Sequence, residues 1–125
     1  MAELTLLLVD DEVEFIEPTA TRLRRRGIAC TTVQSGDEAL RALREPGARF
    51  DGAIVDVKMP GMDGLTLLGS LRLGHRGLPV ILLTGHASVE LGVQGMELGA
   101  FEYLMKPVDL DELLDVVRRA VDAKR

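Results

Sequence analysis

The stretch Leu4-Thr5-Leu6-Leu7-Leu8-Val9-Asp10-Asp11-Glu12 decides how this chain is read. A run that is apolar apart from Thr5 stops abruptly at three acids. Such a run reads as a strand buried on both faces, and strands of that kind belong to parallel sheets covered by helices. Val13, Ile16, Ala20 and Leu23 follow at helical spacing, and Gly27 ends that helix. Pro18 falls inside it, where proline removes a hydrogen bond and costs about 3 kcal/mol, so a kink or a late start is expected.

The same alternation continues to the end of the chain. Ile28–Val33 is strand-like, and Ser35-Gly36-Asp37-Glu38 is a capping box opening a helix over Ala39, Leu40 and Leu43. Asp51–Val57 carries the next apolar run, Pro60–Gly64 is a turn, and Leu65–Leu73 reads as a helix. Pro79–Leu83 is a fourth strand and Ala87–Leu98 a fourth helix, which contains Gly92 and Gly95. Each glycine costs about 0.8–1.0 kcal/mol relative to Ala, so this helix is expected to open locally before the rest. Glu102–Met105 is a brief fifth strand. Asp109-Leu110-Asp111-Glu112 is a second capping box, with Val108 placed to staple against Leu113. Five β-α units predict an α/β fold with a parallel, doubly wound sheet and right-handed crossovers.

A doubly wound sheet binds its ligand at the carboxyl ends of its strands. Asp10 and Asp11 follow the first strand, and Asp56 lies near the end of the third. Thr84 follows the fourth, and Lys106-Pro107 the fifth. With the strand order 2-1-3-4-5, strands one and three are neighbours and the three aspartates converge. Clustered carboxylates repel, so either their pKa values rise or a cation neutralises them. Hard oxygen ligands of this kind suit Mg²⁺. Taken alone, Asp11 also reads as a helix N-cap.

Composition narrows the field. At 125 residues, 46% hydrophobic and 28% charged, the chain makes one globular domain spanning 1–125. A net charge of −5 argues against direct nucleic-acid contact, which needs a basic face. The basic run Arg22, Arg24, Arg25 and Arg26 reads as a solvated helix terminus. The single Cys30 rules out an internal disulfide and reads as a small buried hydrophobe. No signal peptide or membrane-length apolar run stands out, so a cytoplasmic location without membrane association is expected. His75, after Gly74, reads as a solvated loop residue.

Four stretches together resemble the receiver domains of two-component response regulators. They are Leu7–Glu12, Ile54–Gly64 with its D-x-x-M-P-x-M-D-G pattern, Leu83-Thr84-Gly85-His86, and Gly99–Pro107. The resemblance covers essentially the whole chain and implies a flavodoxin-like (βα)5 fold. It implies that Asp56 accepts a phosphoryl group from a kinase phosphohistidine. Asp10 and Asp11 resemble the acid pair that holds Mg²⁺, with Asp56 and the Lys58 carbonyl as further ligands. Thr84 and Lys106 resemble the groups that contact the phosphoryl oxygens. Tyr103 matches the aromatic that switches with Thr84, and the Lys106-Pro107 bond is similar to one that is cis in the family. Lys58 and His86 occupy variable positions beside the cleft and are expected modulators.

The implied protein is a phosphoacceptor signalling domain that assists its own phosphorylation and dephosphorylation, rather than an enzyme. Its implied partners are a sensor histidine kinase or a histidine phosphotransfer protein, and an output domain or partner protein. The output partner is expected to meet the face of the fourth helix, fifth strand and fifth helix, and a homodimer is allowed. A haloacid dehalogenase phosphatase would need a second Asp where Lys58 stands. A flavodoxin-like redox module would need a glycine- and hydroxyl-rich phosphate loop where Asp10-Asp11-Glu12 stands, and 3% aromatic residues give no support for a flavin.

Overall fold

The computed structural model describes residues 4–85 and 88–124. Five strands alternate with five helices: β1 (Thr5–Val9), α1 (Val13–Arg25), β2 (Ala29–Val33), α2 (Gly36–Arg44), β3 (Gly52–Asp56), α3 (Gly64–Gly74), β4 (Val80–Thr84), α4 (Val89–Glu97), β5 (Glu102–Met105) and α5 (Leu110–Lys124). All pairings are parallel, in the order β2-β1-β3-β4-β5.

Alternate residues of the strands feed two cores. Leu6, Leu8, Ile54, Ile81, Leu83 and Leu104 pack with α1 and α5 on one face. Leu7, Val9, Ala53, Val55, Val80 and Leu82 pack with α2, α3 and Leu91 of α4 on the other. Burial on both faces is why β1, β3 and β4 read as near-continuous apolar runs.

The N-cap half of both capping boxes forms. Ser35 Oγ accepts from Glu38 N at 3.1 Å, and Asp109 Oδ1 accepts from Asp111 N at 2.8 Å and Glu112 N at 3.2 Å. Glu38 Oε2 reaches back one residue further than the cap, to Gln34 N at 2.8 Å. Val108 packs against the core that contains Leu113. Pro18 does not delay α1, which begins at Val13 and runs through it. The proline is exposed, on the solvent side of the helix. Asp11 is not the N-cap of α1. Glu12 holds that place, and Asp10 Oδ1 accepts its N–H at 2.9 Å.

Four smaller expectations change. Thr84 is the last residue of β4 rather than the first after it. His75 caps the end of α3 and is half-buried. The basic terminus of α1 is not wholly solvated: Arg24 donates to the Cys30 carbonyl at 2.9 Å and Arg26 pairs with Asp111. Cys30 is half-buried, and burial pushes its thiol up to about 11.

The α4 glycines are close-approach positions. A Cβ at Gly95 would stand 2.1 Å from Leu82 Cδ1, and one at Gly92 would stand 2.8 Å from Tyr103 Cδ2 and 3.0 Å from Thr84 Cγ2. The helix rests directly on β4 and β5 at both places.

Candidate functional site

The carboxyl ends of β1, β3, β4 and β5 open into one cleft. β1 delivers Asp10, and β3 delivers Asp56 as its final residue. Both are almost fully buried, whereas Asp11 is the most exposed of the trio. One carboxylate oxygen from each of Asp10, Asp11 and Asp56 lies within 4.8 Å of the others.

Lys106 closes the cleft from β5. Its Nζ stands 2.7 Å from Glu12 Oε1, 2.8 Å from Asp10 Oδ2 and 3.7 Å from Asp56 Oδ1. The bond to Glu12 is aligned. Asp10 Oδ2, although buried, has charge proximity but no aligned donor.

The electrostatics follow from burial. Asp56 is pushed up to about 6, chiefly by desolvation and next by Asp10; Lys106 pulls it back, and Asp11 and Glu12 add smaller repulsions. Asp10 is also raised by desolvation, with Lys106 and the Glu12 N–H opposing. For Lys106, burial works to lower the pKa, but the Asp10 and Glu12 carboxylates in contact with it, together with the charge of Asp56, outweigh it and leave it raised. Three mutually repelling carboxylates, two of them buried, that bring one oxygen each within 4.8 Å of the others are a donor set that fits a hard divalent cation.

Thr84 is fully buried, and its hydroxyl reaches the Leu104 carbonyl only at 3.5 Å, a long bond that is easily exchanged. Its own carbonyl accepts the Lys106 N–H at 2.8 Å, which ties β4 to β5 at the cleft. The Lys106-Pro107 bond is cis. Tyr103 is half-buried against α4. Lys58 is exposed beside a hollow of about 440 Å³ lined by Met59, Leu65 and Leu91. His86 lies outside the described residues.

Three residues with a place here were given no site role from the sequence. Glu12 and Phe15 both touch the Lys106 ammonium, the latter with its ring centroid 4.5 Å away. Ser88 is buried, and its hydroxyl accepts from Gly85 N at 3.0 Å and donates to Gly85 O at 3.2 Å, tying the start of α4 to the end of β4. A Ser just ahead of a helix was a readable signal for the last.

Fold and site define a flavodoxin-like α/β protein with an acidic, lysine-closed cleft at the switch point of its sheet. The chain belongs to the response regulator receiver domain family, whose profile matches residues 6–118. It is 40% identical to the DNA-binding transcriptional regulator NtrC of Klebsiella pneumoniae over 91% of this chain and 24% of that protein. It is 38% identical to the C4-dicarboxylate transport transcriptional regulatory protein DctD of Pseudomonas aeruginosa over 99% of this chain and 26% of that protein. The chain therefore spans about a quarter of the length of these relatives. A receiver domain protein from Clostridium thermocellum superposes with a TM-score of 0.90 at 31% identity, over 99% of this chain and 97% of that one. NtrX from Brucella abortus gives 0.88 at 32% identity, over 99% of this chain and 28% of that one. Accepting a phosphoryl group is typical of this family, as is working between histidine kinases and output domains. Among the described residues, no helix is long and apolar enough to cross a membrane.

Proposed function

We propose that Asp56 is the phosphoacceptor of a Mg²⁺-assisted signalling switch. One observation carries this: Asp56 ends β3 inside the cleft, with Asp10 and Asp11 on one side and the Lys106 ammonium 3.7 Å away. An Asp56 oxygen attacks the phosphorus of a kinase or phosphotransfer phosphohistidine. The P–O bond forms as the P–N bond breaks, and the imidazole leaves. An ionised carboxylate needs no general base, so the cleft's task is positioning and charge neutralisation. Lys106 and the Thr84 hydroxyl meet the oxygens of the transferred group. Mg²⁺, held by Asp10, Asp11, Asp56 and the Lys58 carbonyl, would neutralise those oxygens further. Transfer from acetyl phosphate, followed by intact mass, tests the reading.

The metal also has a readout in stability. A ligand at 100 times its Kd adds about 2.7 kcal/mol to a fold that binds it only when native. Millimolar Mg²⁺ should raise the melting temperature, and Asp11→Ala should remove the rise. An unshifted wild-type melt would count against the metal site.

Lys58, exposed two residues beyond Asp56, is proposed to lengthen the phosphorylated state by pairing with its oxygens and obstructing water. Phosphate loss should be faster in Lys58→Ala; unchanged or slower loss refutes the role. His86 is proposed as a second modulator at the cleft, with His86→Ala tested the same way.

Output is proposed to pass through α4, β5 and α5, where a second protein or another copy of this chain would bind. Supporting this, α4 and its C-cap residue expose Val93, Met96 and Leu98 at 48%, 37% and 48%, while the inner side of the helix rests on Thr84 and Tyr103. A change at Thr84 would therefore bias the helix and the Tyr103 rotamer. In the resting state residues 88–98 should exchange amide hydrogens faster than 110–120, and a phosphoryl mimic should slow them. Equal protection in both states would mean that the switch works elsewhere.

A further inference from the structure

We propose that Glu12 is a positioning residue that holds Lys106 in reserve and so sets how readily the cleft takes a phosphoryl group. The inference rests on Asp56 being the acceptor. The Lys106 ammonium is drawn toward the β1 side of the cleft: 2.7 Å from Glu12 and 2.8 Å from Asp10, but 3.7 Å from Asp56. The aligned hydrogen bond among these goes to Glu12, 94 positions away in sequence. The Phe15 ring lies 4.5 Å from the same ammonium and provides a face that favours a cation there.

Burial does not force Glu12 into this contact, since its side chain is 61% exposed. Helix capping does not explain it either. Glu12 is the N-cap of α1, where short oxygen-bearing side chains are preferred, yet it makes no side-chain cap bond. Its carboxylate is turned to Lys106 instead, while its backbone N–H is fixed by Asp10 Oδ1 at 2.9 Å. The turn is anchored by one acid, and the neighbouring acid is left to reach over the cleft. Once Asp56 carries a phosphoryl group, Lys106 has to leave Glu12 to meet it. Glu12 and the phosphoryl oxygens compete for one ammonium.

The probe is beryllium fluoride, a phosphoryl mimic, titrated by NMR into the intact chain at saturating Mg²⁺. Glu12→Gln keeps the length and removes the charge. Glu12→Asp keeps the charge and shortens the reach. Both should bind the mimic about three-fold more tightly than wild type, the size expected for losing a mostly exposed ion pair. In a Lys106→Met background neither change should have an effect. If Glu12→Gln tightens binding and Glu12→Asp does not, the general field of the acid is responsible and the contact is not. An equal gain in the Lys106→Met background, or no gain in either single variant, overturns the proposal while leaving the acceptor in place. If Asp56→Asn binds the mimic as wild type does, the acceptor assignment falls too, and that result is seen before any Glu12 variant is made.

Discussion

Asp56→Asn is expected to abolish phosphoryl uptake and, in the same molecule, to stabilise the metal-free fold. The first effect is all or none, because the amide offers no anionic oxygen to attack phosphorus. After incubation with acetyl phosphate and Mg²⁺, wild type should gain the mass of one phosphoryl group and the variant none. Equal labelling would remove Asp56 from the mechanism. The second effect comes from the cost of the buried charge. Desolvation first, and Asp10 next, push Asp56 from 3.8 up to about 6 in the folded state. A group raised in this way contributes stability that is fully present below its unfolded value and lost as the pH rises through its folded one. From about pH 4 to above pH 6 the ionised carboxylate therefore costs wild type on the order of 2–3 kcal/mol, and neutral Asn avoids it. Melts in chelator should show the variant's advantage widening from pH 5 to pH 7.5. An advantage that does not grow with pH would mean that the burial cost is offset in some other way.

Gly64→Ala should be among the most damaging conservative changes in the chain. A Cβ there would stand 2.4 Å from the Asp56 carbonyl oxygen and 2.7 Å from Val57 Cα. Both neighbours are backbone, so no side chain can swing aside. Gly64 N also donates to the Val57 carbonyl at 2.9 Å, which locks the start of α3 against the end of β3. Relief requires moving either the helix or the acceptor strand. A loss of about 3 kcal/mol is expected, the upper part of the range for overpacking, together with slowed phosphoryl uptake. Gly69→Ala is the internal control. Nothing lies within 4 Å of a Cβ at that α3 position, so it should gain up to about 1 kcal/mol from helix propensity. Urea unfolding of the pair decides the matter, and a Gly64→Ala variant within about 0.5 kcal/mol of wild type would refute the close approach.

The alternation of apolar runs and helical spacings made the fold legible, because the central strands β1, β3 and β4 are covered on both faces and carry few polar residues to misread. Asp10, Asp11, Asp56 and Lys106 were legible as a group because chain order alone put each beside a strand end. The contacts that tune them were not. Glu12 meets Lys106 through a pairing 94 residues apart, and its own neighbourhood looks like an ordinary helix start. Of the kink or late start expected from Pro18, the late start does not occur, because α1 already begins at Val13. Gly92 and Gly95 read as weak points in a helix, since local sequence does not reveal that Leu82 and Tyr103 already occupy the space a side chain would need.

Those two glycines divide α4 between different kinds of change over time. Inward positions 92 and 95 are buried and admit no larger residue without displacing β4 or β5 side chains. Val93, Gln94, Met96 and Glu97 face outward and touch none of that seam. Substitutions there are free to accumulate, since surface changes away from packed features move stability by only about ±0.5 kcal/mol. Duplicated copies of such a gene could thus drift toward separate partners while their internal trigger stays the same. A protein engineer wanting a sturdier helix would find alanine closed at its two obvious sites, and would have to work on the outer surface, where the output partner is proposed to bind.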